Sequence, residues 1–142
     1  MAQAAAKKRS EATEPSKQSF HGSFCWNELM TRDIEGAQRF YRDTIGWSFE
    51  PMKMVWGTYW IAKSGGKNVG GMFELTSPEF DGVPNAWMSY VAVDDVDARV
   101  AKAKKAGAKL MRSIFDVEGV GRIAILMQPD GASVAWMTPK PE

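Results

Sequence analysis

The stretch CWNELMTRDIEGAQRFYRDTIGW, residues 25–47, decides the fold of this chain. An alternating, strand-like run comes first, and Asp33 then provides a good helix N-cap. The helical segment that follows ends at Gly46, a residue typical of helix C-termini. Apolar residues at spacings of three and four predict one apolar face on this helix: Ile34, Ala37, Phe40, Tyr41 and Ile45.

The same unit occurs a second time in AWMSYVAVDDVDARVAKAKKAGAK, residues 86–109. Here Asp95 takes the place of the first N-cap and Gly107 takes the place of the first helix stop. Val96, Val100 and Ala103 form the predicted buried face of this second helix. The chain is therefore predicted to be a tandem repeat.

Three strands are predicted after each helix. The first segment divides at Gly65-Gly66, and the second divides at Pro129-Asp130-Gly131, both of which are turn signals. The run AKLMRSIF, residues 108–115, is predicted to be a single strand of the second half. These patterns predict an α+β fold of two βαβββ units, approximately 23–75 and 86–138, forming a curled mixed β-sheet cup with the helices outside.

Composition limits the possible classes of protein. The 142 residues are 44% hydrophobic and 25% charged, with a formal net charge of +1, so one globular domain over residues 20–142 is expected and no nucleic-acid partner. The polar segment 1–19 is predicted to be a flexible tail. No apolar run is long enough to cross a membrane. One cysteine allows no internal disulfide, which suits a reducing compartment, so we expect a cytoplasmic protein.

The repeated motifs, together with GVGRIAILMQPDGASVAWMTP at residues 119–139, resemble the vicinal oxygen chelate superfamily. This superfamily is also called the glyoxalase/bleomycin resistance/extradiol dioxygenase superfamily. The resemblance implies a divalent metal held by His, Gln and Glu side chains. The corresponding positions in this chain hold Trp26, Met88, Ala135 and the pair Gly70-Gly71. None of these is a ligand of the family type, so no metal and no other cofactor is expected.

Candidate site residues are chosen by strand alternation, which directs every second side chain to the inner face of the sheet. The predicted ligand-binding residues are Trp26, Glu28, Met30, Met88, Tyr90 and Met137. Glu28 is the one candidate for a catalytic base or a hydrogen-bond acceptor; the alternative is an ion-paired residue on the inner face. The Trp and Met side chains suit a flat apolar or aromatic molecule, although they could equally just fill the cup. Phe40, Tyr41 and Trp136 are predicted to pack between sheet and helix.

Two classes of function remain open. The first is a glyoxalase/bleomycin-resistance-like protein with a degenerate metal site that binds a small apolar or aromatic molecule. The alternative is a metal-dependent enzyme of the lactoylglutathione lyase or ring-cleaving dioxygenase type. The resemblance also implies a homodimer, since members of the superfamily commonly form two-fold dimers.

Overall fold

The computed structural model describes residues 20–140. The segment 1–19, predicted to be a flexible tail, lies outside the described residues. The described chain forms two compact units, one of residues 24–90 and the other of residues 20–23 together with 91–140. The prediction of a single domain over residues 20–142 stays a prediction.

The unit 24–90 contains one helix and five strands. Its elements are β1 (Phe24–Thr31), α1 (Ile34–Ile45), β2 (Ser48–Met54), β3 (Gly57–Ser64), β4 (Lys67–Glu74), a 3-10 turn (Pro78–Phe80) and most of β5 (Ala86–Ala92). The strand order is β2-β3-β4-β1-β5, in which β1 and β4 run parallel while β3 is antiparallel to both β2 and β4. Gly65 and Gly66, with φ of 56° and 81°, make the predicted turn between β3 and β4.

Helix α1 begins and ends where the sequence predicts. The Asp33 carboxylate accepts a hydrogen bond of 2.9 Å from the backbone N–H of Gly36. Gly46 adopts the left-handed conformation with φ of 77°, and its N–H donates to the carbonyl of Arg42. Both caps satisfy backbone groups that a helix end leaves without partners.

The predicted apolar face of α1 holds only in part, because Ile34, Ala37 and Tyr41 are half-buried. Phe40 is 57% exposed and Ile45 is 56% exposed, whereas Gln38 is the buried residue of the helix. Gln38 lies on the same side of the helix as Ile34 and Tyr41, and the Phe40 ring packs edge-on against Tyr41, 5.0 Å between ring centres. Gln38 Nε2 has no hydrogen-bond partner within residues 20–140.

A cluster of aromatic rings surrounds Tyr41 in this unit. The Tyr41 ring stacks on Trp47 at 4.8 Å, and its hydroxyl accepts a hydrogen bond of 3.0 Å from Trp87 Nε1. Tyr41 is half-buried, so its predicted packing role holds, while that of Phe40 does not. Trp87 itself remains 40% exposed.

The second unit has its own helix and a smaller antiparallel set of strands. Its elements after the end of β5 are α2 (Val96–Lys105), β6 (Lys109–Leu110), β7 (Phe115–Val117), β8 (Gly121–Met127) and β9 (Ser133–Pro139). Strand β8 pairs antiparallel with β6, β7 and β9. The predicted single strand over residues 108–115 is wrong. The chain leaves the ladder between β6 and β7, where the Arg112 guanidinium lies 4.0 Å over the Phe115 ring.

The core of this unit is apolar. Val96, Val100 and Ala103 are buried as predicted, and they pack with Val93, Ala124, Leu126 and Val134. Trp136 packs against this cluster, also as predicted. The predicted α+β fold class with two βαβββ units is confirmed. Among the described helices, none is long and apolar enough to cross a membrane.

Candidate functional site

The candidate site lies on one sheet face of the unit 24–90. Glu28 on β1 is paired with Gly71 on β4, and Met30 is paired with Phe73. Paired residues of neighbouring strands share a face, as do alternate residues of one strand. Trp26, Glu28 and Met30 therefore lie on the face that carries Gly71, in agreement with the predicted alternation.

Glu28 is the polar centre of this face. It is only 8% exposed, and the Tyr90 hydroxyl donates a hydrogen bond of 2.8 Å to its Oε2. The Tyr59 hydroxyl lies near the Glu28 carboxylate and affects its pKa. Within residues 20–140 no Lys, Arg or His side chain forms an ion pair with Glu28, whose hydrogen-bond partner is the neutral phenol of Tyr90. A carboxylate has about four acceptor positions, so one tyrosine donor leaves further positions for hydrogen bonds.

Tyr59 on β3 is a site residue that the sequence analysis missed. Its hydroxyl accepts a hydrogen bond of 2.8 Å from Trp26 Nε1. A Cβ added at Gly71 would overlap the Tyr59 hydroxyl, so the phenol fills the space that the glycine leaves open. The sequence feature that points to such a residue is Gly71, because a position without a side chain leaves space for a large side chain from the neighbouring strand. To identify that side chain as Tyr59, the register of β3 against β4 must be known.

Burial dominates the electrostatics of the cluster. Desolvation raises the pKa of Glu28, and the hydrogen bond from Tyr90 and the nearby Tyr59 hydroxyl oppose this effect. Desolvation, followed by the nearby Glu28 charge, also raises the pKa of both tyrosines. The two phenols therefore stay protonated as donors at neutral pH. A carboxyl group with a raised pKa accepts a proton from a bound molecule more readily than an exposed one.

The three predicted methionines are placed differently. Met30 is buried on β1 on the same face as Glu28, and Met88 is buried on β5, two residues from Tyr90. Met30 and Met88 therefore supply apolar side chains beside Glu28 and Tyr90. Met137 belongs to the other unit, on β9, where it is paired with Ile123. The prediction of Met137 as a site residue stays a prediction.

The residues at the family's metal positions do not fit a divalent cation. Trp26 offers only an N–H donor, which Tyr59 already occupies, and Met88 offers a thioether that hard cations do not favour. Gly71 has no side chain, and Ala135 is a fully buried alanine on β9. Within residues 20–140 no group of three or more His, Cys, Asp or Glu side chains is arranged to hold a metal ion.

Two open clefts lie in the unit of residues 91–140, and none of the predicted site residues lines either of them. One, of about 500 Å³, is lined by the start of α2 and by the ends of β7, β8 and β9. The Arg122 guanidinium in it bonds to Asp97 at 2.8 Å and to Asp116 at 3.0 Å, so its charge is already paired. The other, of about 410 Å³, lies between α2 and the turn around Pro129.

Two βαβββ units of this kind define a member of the vicinal oxygen chelate superfamily. Residues 24–135 match the family described as the glyoxalase-like domain, and the chain belongs to that family. The solved structure of methylmalonyl-CoA epimerase from Mycobacterium tuberculosis is similar in fold, with a TM-score of 0.58 at 14% identity. That similarity covers 94% of this chain and 96% of the epimerase.

Curated relatives extend beyond this chain. The protein named "Putative glyoxylase CFP32" in Mycobacterium tuberculosis is 39% identical over 122 residues, which cover 85% of this chain and 46% of the relative. The anthracycline biosynthesis protein DnrV of Streptomyces peucetius is 29% identical over 126 residues, covering 80% of this chain and 46% of that protein. The chain thus spans about half the length of the curated relatives it matches.

Proposed function

We propose that this glyoxalase-like protein binds a small, mainly aromatic molecule through Trp26, Glu28, Met30, Met88 and Tyr90, and that binding does not depend on a metal ion. The observation that carries the proposal is the Glu28 carboxylate, buried on a sheet face with the Tyr90 hydroxyl as its donor. Burying a carboxyl group is costly for a fold, and a stable core of the same size needs none. Its retention at this place favours a role in recognition.

The chemistry of the face indicates the kind of molecule. Glu28 keeps acceptor positions free, so it selects a ligand with a hydroxyl or ammonium donor. Buried Met30 and Met88 supply soft apolar contacts beside it, and Trp26 supplies an aromatic ring. These groups together suit a planar aromatic molecule with one polar edge.

The names of two relatives support the choice of a probe molecule. One relative is named for anthracycline biosynthesis, and anthracyclines are planar aromatic compounds with hydroxyl and amine groups. The name of another relative points to glyoxylase chemistry. The donor types at the family's metal positions favour binding over metal-dependent catalysis in this chain, because Trp26, Gly71 and Met88 replace oxygen and nitrogen ligands.

A fluorescence titration tests the proposal. The purified chain is titrated with daunorubicin, an anthracycline, and with 9-aminoacridine, a planar aromatic cation. We expect saturable quenching of tryptophan fluorescence, most of which Trp26→Ala removes. Glu28→Gln keeps the fold and weakens binding by about 1–3 kcal/mol, the cost of a lost charge-assisted hydrogen bond.

Matched controls separate binding from folding. Glu35→Gln changes an exposed carboxylate on α1, and Trp87→Phe changes a tryptophan that contacts Tyr41; both leave the affinity unchanged. Circular dichroism and thermal unfolding verify that every variant folds. Absence of saturable binding in the wild type, or equal affinity for wild type and Glu28→Gln, contradicts the proposal.

We also propose that the chain forms a homodimer. Phe40, Ile45 and Trp87 expose apolar surface on the unit 24–90, and such side chains are typical of interfaces. Light scattering at tens of micromolar protein is expected to give twice the monomer mass. Phe40→Glu is expected to shift the protein towards monomer, and a wild type that is already monomeric contradicts this proposal.

A further inference from the structure

Trp56 is an aromatic residue that the proposed site does not yet use. It lies with Val55 in the two-residue turn between β2 and β3, and it is 56% exposed. Its ring packs edge-on against Phe73, 5.8 Å between ring centres, and against Tyr59 at 6.5 Å. A large indole held on one side and exposed on the other is unusual for a hairpin tip, where small polar residues are preferred.

These contacts place Trp56 on the same sheet face as Glu28. Phe73 is paired with Met30, and the Tyr59 hydroxyl lies over Gly71, so both ring partners of Trp56 belong to that face. Tyr59 lies between the indole and the carboxylate, because its ring packs against Trp56 and its hydroxyl lies over Gly71, the residue paired with Glu28.

We infer that Trp56 determines the specificity of the site by stacking on a planar polycyclic ligand whose amine or hydroxyl group binds Glu28. This inference rests on the proposed function and adds its substrate class. A ligand anchored at Glu28 needs an extended flat body to reach the indole. A compact or puckered molecule with the same donor makes the contact to Glu28 without the contact to Trp56.

Two probes of equal charge distinguish these cases. 9-Aminoacridine is a planar three-ring cation, and 1-adamantylamine is a compact aliphatic cation at neutral pH. Stacking of one aromatic pair contributes about 0.5–1.5 kcal/mol, which corresponds to roughly two- to tenfold in affinity. We expect Trp56→Ala to weaken 9-aminoacridine by this factor and to leave 1-adamantylamine unchanged. Trp56→Phe, which keeps an aromatic ring, restores most of the loss.

Calorimetry on the full chain measures the affinity of each variant for each of the two probes. Trp87→Ala is the control at another half-exposed tryptophan, and it is expected to leave both affinities unchanged. Glu28→Gln is expected to weaken both probes. If Glu28→Gln weakens both probes while Trp56→Ala changes neither or changes both equally, the inference about Trp56 is overturned and the proposed function stands. If neither probe binds the wild type, the inference and the proposed function are both overturned.

Discussion

Replacing Gly71 by alanine places a methyl group where the Tyr59 hydroxyl lies, so the two side chains cannot both keep their positions. Gly71 has no positive φ, and the backbone therefore accepts alanine without strain. Overpacking of this kind costs about 1–3 kcal/mol. Displacing the phenol also breaks the 2.8 Å bond from Trp26, about 1 kcal/mol, which the lower entropy of the unfolded alanine chain roughly offsets. The net loss expected for Gly71→Ala is about 1–3 kcal/mol.

The choice of second-site variants makes this prediction specific. Tyr59→Phe removes the hydroxyl but keeps ring carbons that also overlap the new methyl group, so it does not rescue Gly71→Ala. Tyr59→Leu removes the overlapping atoms, and it is expected to rescue most of the loss. Urea unfolding followed by tryptophan fluorescence gives each free energy of unfolding, and the double-mutant cycle gives a coupling of about 1 kcal/mol or more for leucine. Additive effects of Gly71→Ala and Tyr59→Leu would refute the contact, and with it the account of how Tyr59 reaches Glu28.

Three further predictions concern charge, metal and capping. The pKa of Glu28 in the folded chain lies above its unfolded value of about 4.3. Its contribution to the free energy of unfolding is therefore present below about pH 4 and is lost as pH rises through the folded pKa. The loss is about 1.4 kcal/mol for each pH unit that separates the two pKa values. Glu28→Gln is therefore expected to gain stability relative to wild type as pH rises from about pH 4 in urea unfolding, and a difference that stays constant with pH would contradict this. The purified chain should carry no stoichiometric Fe, Ni, Zn or Mn by elemental analysis, and excess divalent ion should not raise its melting temperature; about one metal per chain would reject this prediction. Asp33→Ala should cost about 1 kcal/mol by loss of the N-cap of α1, while Asp43→Ala, a change late in the same helix, should cost less, as thermal unfolding would show.

Local features of the fold were predictable because their causes are local. Asp33 and Gly46 fix the ends of α1 through backbone groups within a few residues, and Gly65-Gly66 sets its turn by backbone conformation alone. The exposure of Phe40 and the burial of Gln38 were not predictable in this way. Both residues flank the face of Ile34, Ala37 and Tyr41, so the packing of the helix decides which of the two is buried.

The candidate site likewise contains residues that a local pattern predicts and residues that only long-range pairing explains. Strand alternation placed Trp26, Glu28 and Met30 on one face of β1, since that depends only on the period of the strand. Tyr59 was missed because its contact with Glu28 depends on the register of β3 against β4 and on the space above Gly71. The pairing of Tyr90 with Glu28 joins residues far apart in sequence, and only the folded sheet brings them together.

The buried Gln38 gives the two helices unequal resistance to local opening. Helix α2 lies on an apolar cluster, whereas α1 buries an amide nitrogen that has no hydrogen-bond partner within residues 20–140. The side-chain amide of Gln38 can hydrogen-bond to water when α1 separates from the strands, and this gain lowers the free energy of local opening. The backbone amides of α1 should therefore exchange with deuterium before those of α2, although both helices have equivalent N-caps. We therefore expect the repeat that carries Glu28 to open locally more readily than the repeat built on the apolar cluster.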